Sequence, residues 1–295
     1  MSASFPKHAQ VVVIGGGVHG CSVAYHLAKN GWKDVVLVER KKLTSGTTWH
    51  AAGLVGQLQG THATTAFASY GVELLQEIET ETGLSPGFRQ NGSISIAVNQ
   101  SRLSELKRKA DFAGLFGVKA SFIETDAIAE RWPLMNAEGV LGGIYMPSDG
   151  SANPTDLTQA LARGARMNGA QIFENIKVET VLTSGGKVTG VETDAGIISA
   201  EFVVNCAGMW ARDLGRKMAL AFRSMLANII TLLPNRLPVC HRICRFFGHI
   251  VMALTGKRMP ASCYLALPIS MQRHGQKAAF QVVSNLTVFL SLKMT

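Results

Sequence analysis

Three glycines and one carboxylate set the first chemistry legible in this chain. Gly15, Gly17 and Gly20 follow the β-branched run QVVVI and open the helical pattern VHGCSVAYHLAKNG, with Ala24 four positions beyond the last glycine. Glycines at this spacing let the backbone turn tightly, let a pyrophosphate reach the N–H groups of a helix start, and let that helix pack closely on the strand before it. Glu39 ends the next apolar run, DVVLVE, 19 residues after Gly20. A carboxylate there accepts hydrogen bonds from an adenosine ribose and disfavours a 2′-phosphate, so NADP is disfavoured even with Arg40 alongside. The implied chemistry is dinucleotide binding, and the fingerprint does not separate NAD from FAD.

A second stretch, SGTTWHAAGL over residues 45–54, gathers small and hydroxyl side chains around one tryptophan and one histidine. Small residues let a loop pass close to a bulky planar ligand, and a neutral imidazole is a competent nucleophile. Taken alone, His50 beside Trp49 is also an ordinary loop histidine with a packing neighbour. His62 and Tyr70 follow nearby in sequence. With no geometry to aim them they read as packing or surface residues, and no substrate base is assigned.

Holding these groups requires a strand, a tight turn and a helix, and the flanking pattern supplies them. Gly31 stops the first helix and DVVLVER gives a second strand, completing a βαβ unit of a parallel sheet. Helical spacing runs through FASYGVELLQEIETETG, and Gly83, Pro86 and Gly87 end it. NGSISIAV then alternates as a strand, SRLSELKRKADFAGLFG reads as a helix capped by Ser101, and GVLGGIYMPSDG returns as a strand and turn. A second subdomain begins here. Residues 154–168 form a helix with Pro154 at its start, and the stretch from Ala170 to Gly208 reads as strand, hairpin and strand.

Charge divides the chain at about residue 218. All 20 carboxylates precede that point, while Arg223, Arg236, Arg242, Arg245, Lys257, Arg258, Arg273, Lys277 and Lys293 follow it and carry the whole net charge of +9. These cations are scattered singly, without the clusters or interleaved aromatics of a nucleic-acid surface, so no nucleic-acid partner is expected. Past residue 218 neither strand nor helix periodicity persists, and the absence of Asp and Glu sets the segment apart from globular sequence. Cys240, Cys244, His241 and His249 do not make a zinc spacing with a second ligand pair, so no metal is expected. Five cysteines suit a reducing compartment, MSASFPKHAQ has no apolar or Arg-rich targeting pattern, and no apolar run is long enough to cross a membrane. Cytoplasm is the expected location, a mitochondrial matrix the alternative.

The glycine fingerprint, Glu39 and the word SGTTWHAAGL together resemble the FAD-dependent oxidoreductases of the D-amino-acid-oxidase superfamily, and within it the dimethylglycine and sarcosine dehydrogenase group. GFRQNGSISIA, YMPSDGSANPTDLTQALARGAR and VVNCAGMWA extend the likeness over about residues 9–217. The resemblance implies an α/β fold: a Rossmann-like FAD-binding domain, parallel sheet with helices, made of 7–90 and 145–218. It further implies the start of a mixed α+β substrate domain over 91–144, with 219–295 outside the family pattern.

The resemblance also assigns site residues. Gly15, Gly17, Val18, His19 and Gly20 would hold the pyrophosphate, Glu39 and Arg40 the ribose, and Val178 the adenine. Gly46, Thr47, Thr48, Trp49, His50, Ala51, Ala52, Gly53 and Leu54 would run along the flavin, with Gly208 and Trp210 closing on the same loop. His50 matches the histidine joined covalently to the flavin 8α carbon in that group. The implied reaction oxidises the N-methyl group of a secondary or tertiary amine such as sarcosine or dimethylglycine. Tetrahydrofolate and an electron-transfer flavoprotein are the partners of full-length relatives.

Because the likeness ends near residue 218, a truncated or frameshifted chain with weak or no activity is the expectation. Two rivals stand beside the enzyme: a non-enzymatic flavoprotein-like regulator similar to the pyruvate dehydrogenase phosphatase regulatory subunit, and an inactive remnant.

Overall fold

The glycine turn joins β1 (His8–Ile14) to α1 (Val18–Lys29), and the chain returns as β2 (Val35–Glu39) beside β1. The structure, a computed structural model, describes residues 5–133, 135–217, 229–232 and 265–268, the last two segments as backbone. Beyond β2 come β3 (Leu54–Val55), α2 (His62–Thr82), β4 (Ser93–Ala97) and α3 (Gln100–Ala113). Next are β5 (Ser121–Ile123), α4 (Thr125–Arg131), β6 (Gly142–Met146), β7 (Gly150–Ser151) and α5 (Pro154–Met167). The last body elements are β8 (Gln171–Glu174), β9 (Val178–Ser184), β10 (Lys187–Thr193), β11 (Gly196–Asn205) and α6 (Ala211–Lys217). Two short strands, β12 (Ile229–Leu232) and β13 (Leu265–Pro268), pair antiparallel. Otherwise the sequence reading of the segment after 218, its Cys and His residues included, lies outside the described residues.

The described residues form two compact units. The first comprises 5–51, Leu75–Gly87 and 153–217; the second comprises Ala52–Leu74 and Phe88–Ala152. Ala52–Leu74 clusters with the second unit, so the segment 7–90, read from sequence as one piece, is shared between the two.

In the first unit six strands lie in the order β8-β2-β1-β11-β10-β9. The first four are parallel, with Val11 opposite Val35 and Phe202, and β9 and β10 join antiparallel. Alternate residues Val12 and Ile14 of β1, Val36 and Val38 of β2, and Ile198 and Ala200 of β11 meet in one buried cluster, as strand geometry requires of a covered face. Helix α1 buries Gly20, Cys21, Ala24, Tyr25 and Ala28, a 3.6-residue stripe. It crosses α5 at Gly164, where an alanine methyl would stand 2.7 Å from the Tyr25 ring. Asn153 caps α5 by accepting from the N–H groups of Thr155 and Asp156, and Pro154 occupies its first turn as expected.

The second unit holds a three-stranded antiparallel sheet, β4-β6-β5, and the β3–β7 pair. Helix α3 covers the sheet through Leu106 and Ala113, which join Ala97, Ile144 and Met146 in a buried cluster. Its cap differs from the sequence expectation. Asn99, not Ser101, has the extended backbone of a cap, and its side chain accepts from the Arg102 N–H at 2.8 Å. Asp149, between β6 and β7, is fully buried. It accepts from Ser93 Oγ at 2.6 Å and from the Gln57 N–H at 2.9 Å. Among the described residues no helix is long and apolar enough to cross a membrane.

Candidate functional site

The site grows from the turn after β1. Gly15 has φ +109°, and a methyl group on it would collide with the Cys206 carbonyl. A methyl on Gly20 would meet the Gly15 carbonyl, so α1 begins in direct contact with the turn and only glycine allows it. Gly17, the cap residue of α1, offers no side-chain acceptor, and the first helical turn carries no acidic residue. The positive end of the α1 dipole is therefore left for an anion. The Val18 N–H donates to Thr48 Oγ1 at 3.0 Å.

Glu39 is held by two backbone donors. Its Oε2 accepts from the Gly16 N–H at 2.6 Å and its Oε1 from the Lys41 N–H at 2.8 Å. Each carboxylate oxygen keeps a further lone pair for an outside donor. The Arg40 guanidinium stacks over the Trp210 ring at 3.6 Å, and the same ring lies 3.4 Å from where a Gly46 methyl would stand. Trp210 thus packs against both the end of β2 and the loop that follows.

One groove of the first unit is lined by Gly15, Gly17, Val18 and His19, by Glu39 and Arg40, by Gly46, Thr47 and Thr48, and by Val178, Gly208 and Trp210. Gly20 sits behind it as a packing residue. Trp49, His50 and Ala51 do not line the groove. Trp49 is half exposed, and its ring centroid stands 3.6 Å from that of His50. Ala52, Gly53 and Leu54 belong to the second unit, where Leu54 pairs with Ser151.

Sequence reasoning missed several lining residues. Ile176, Lys177, Glu179, Asp213, Leu214 and Lys217 also line the groove; Lys217 Nζ donates to the Glu179 carbonyl at 2.6 Å. No local motif marks them, because they arrive through long-range sheet pairing, of β8 with β2 and of β11 with β1. Cys206 and Ala207 line it too, and their signal was the strand-ending NCAG. Burial pushes the Cys21 thiol up to about 12 and raises that of Cys206, so both stay protonated near neutrality and neither suits a nucleophilic role. Among the described residues no His, Cys, Asp and Glu group of three or more can hold a metal ion.

The FAD dependent oxidoreductase family model matches residues 10–255. This chain belongs to the FAD-dependent oxidoreductase family. The mouse mitochondrial pyruvate dehydrogenase phosphatase regulatory subunit is 42% identical over 72% of the chain and 24% of its own length. A 4-methylaminobutanoate oxidase (formaldehyde-forming) from Paenarthrobacter nicotinovorans is 43% identical over 71% of the chain and 25% of its own length. Human mitochondrial sarcosine dehydrogenase is 36% identical over 95% of the chain and 31% of its own length. This chain therefore spans about a quarter to a third of these relatives. The family match and the sarcosine dehydrogenase alignment both run past residue 218, correcting the expectation that the likeness ends there. Among solved structures, L-proline dehydrogenase from P. horikoshii superposes with a TM-score of 0.71 at 28% identity, covering 76% of this chain and 59% of that one. The family membership accords with the α/β architecture and the glycine turn.

Proposed function

We propose that this chain is the FAD-binding part of an amine-oxidising flavoenzyme that acts on the N-methyl group of a secondary or tertiary amine of the sarcosine or dimethylglycine type. The observation that carries the reading is the Val18 N–H bond to Thr48 Oγ1, which seats the loop bearing His50 on the helix end that suits a pyrophosphate. The relatives named as sarcosine dehydrogenase and 4-methylaminobutanoate oxidase support the substrate class.

The residues fit the adenosine diphosphate half of FAD. Gly15 and Gly17 line the groove without a side chain, the N–H groups at the start of α1 take the phosphates, and Glu39 takes the ribose hydroxyls. Val178 borders the adenine, while Gly46 to Thr48 and Trp210 border the route toward the ring. When bound, the flavin supplies a two-electron acceptor. The chain presents His50 for attachment through the 8α carbon. Tetrahydrofolate and an electron-transfer flavoprotein belong to the same proposal as partners of the longer protein. The relatives named mitochondrial favour a matrix location over cytoplasm.

Acid denaturation of the purified 295-residue chain tests the reading. Yellow colour and flavin fluorescence should stay with the polypeptide and vanish from it in His50→Ala. Flavin that washes away leaves FAD binding intact but removes His50 from it; no flavin at all overturns the proposal. Turnover of sarcosine or dimethylglycine with an artificial acceptor is expected to be weak or absent, since no described residue is assigned to the amine.

A second reading, a non-enzymatic regulator, draws on the 42% identity to the phosphatase regulatory subunit. A chain that binds no covalent flavin and turns over no amine when embedded in its longer protein would favour it.

A further inference from the structure

We infer that Thr48 is the positioning residue that sets His50 for covalent attachment, an inference that rests on the reading of His50 above. The loop after β2 is stapled to the glycine turn at two points. One is backbone only, the Thr44 N–H donating to the Gly16 carbonyl at 3.0 Å, and no substitution removes it. The other is the Thr48 hydroxyl, which accepts from the Val18 N–H at 3.0 Å.

Burial marks which staple governs the histidine. Thr48 is 8% exposed, whereas its neighbours Thr47, Trp49 and His50 are all exposed. Thr48 opens the single helical turn Thr48–His50, closed by the His50 N–H on the Thr47 carbonyl at 3.2 Å and the Ala51 N–H on the Thr48 carbonyl at 3.1 Å. His50 is therefore two residues from a buried anchor inside a hydrogen-bonded turn. Gly17 completes the fit: a methyl there would lie 2.9 Å from Thr48 Oγ1, so the hydroxyl fills the space that glycine leaves.

Attachment replaces one C–H bond of the flavin 8-methyl group by a C–N bond to the His50 ring. The two hydrogens released from carbon and nitrogen carry two electrons, which dissolved dioxygen accepts as hydrogen peroxide. Such a step depends steeply on approach geometry: a misplacement of about 1 Å costs on the order of a hundredfold in rate. Thr48 also lines the groove, so its loss bears on FAD binding as well as on the attachment step.

The test separates these two quantities. Thr48→Val, Thr48→Ser and the unaltered chain are loaded with FAD in air. Covalent attachment is followed as flavin fluorescence on the denatured polypeptide, noncovalent affinity by equilibrium dialysis at early times. For Thr48→Val the attachment rate at saturating FAD should fall about tenfold or more. Thr48→Ser should restore the rate. Equal attachment rates in Thr48→Val and the unaltered chain overturn the inference, and so does loss of all FAD binding, which would make Thr48 a general folding residue. Absence of covalent flavin from the unaltered chain instead overturns the reading of His50. The anchor is then read separately from hydrogen exchange at the Val18 amide: faster exchange in Thr48→Val upholds it and unchanged exchange removes it.

Discussion

Gly164 in α5 and Gly71 in α2 are both interior helical glycines, yet alanine at each should move stability in opposite directions. Alanine is better than glycine in a helix interior by about 1 kcal/mol. At Gly71 nothing lies within 4 Å of where the new methyl would stand, so this gain is unopposed. At Gly164 the methyl would stand 2.7 Å from both Cδ2 and Cε2 of Tyr25 and 3.2 Å from Thr82 Cγ2. Tyr25 is fully buried and has no room to yield. Its hydroxyl donates to Glu81 Oε2 at 2.6 Å and accepts from Lys29 Nζ at 2.7 Å, which fixes the ring at its far end. Overpacking against a fixed ring costs about 1–3 kcal/mol, so the steric cost exceeds the propensity gain and leaves Gly164→Ala destabilised by about 1 kcal/mol. Urea unfolding reads both variants. The midpoint should fall for Gly164→Ala and rise for Gly71→Ala, with the slope unchanged in each. A Gly164→Ala midpoint at or above that of the unaltered chain would refute the close crossing of α1 and α5.

Three further outcomes follow from the same geometry. Asn99→Ala should cost about 1 kcal/mol and Ser101→Ala almost nothing, since only Asn99 caps α3; equal costs in urea unfolding would return the cap to Ser101. Burial, opposed by hydrogen bonds from Ser93 and Gln57, holds the Asp149 carboxyl above its usual 3.8. A raised folded value means that Asp149 favours the fold most when protonated, and that this contribution is lost as pH rises through the raised value. The stability of Asp149→Asn relative to the unaltered chain should therefore increase from about pH 4 to pH 7, and a difference flat with pH in urea titrations would contradict this. Glu39→Gln turns an amide NH₂ toward the Gly16 or Lys41 N–H, losing one of two bonds at a cost of about 1–3 kcal/mol. FAD affinity should fall about tenfold or more by equilibrium dialysis, and unchanged affinity would take Glu39 out of the ribose contact.

Strand, glycine turn and helix from residue 8 to residue 29 were legible because each is decided within a few residues. A β-branched run favours strand, glycine permits φ +109° at Gly15, and a small-residue stripe lets α1 lie close. The end of α2 was legible for the same reason, with Gly83 at φ +68° just past Thr82. The cap of α3 was misassigned although it is local. Asn99 and Ser101 are both good caps by type, and only the extended backbone at Asn99 distinguishes them. Asp149 gave no sequence signal, since an aspartate before a glycine reads as a surface turn until the strands around it bury it.

Residue type and spacing by themselves determined the glycine turn and helix end proposed as a dinucleotide cradle, because both are governed by backbone sterics over short range. Tertiary structure alone decided what surrounds that cradle. Pairing β8 with β2 and β11 with β1 brings Lys177, Glu179, Asp213 and Lys217 to the groove from more than a hundred residues away, and folding the loop after β2 carries the Thr48 hydroxyl to the Val18 amide. Such contacts depend on which strands become neighbours, and that is set by burial of apolar faces over the whole unit rather than by any short stretch of chain.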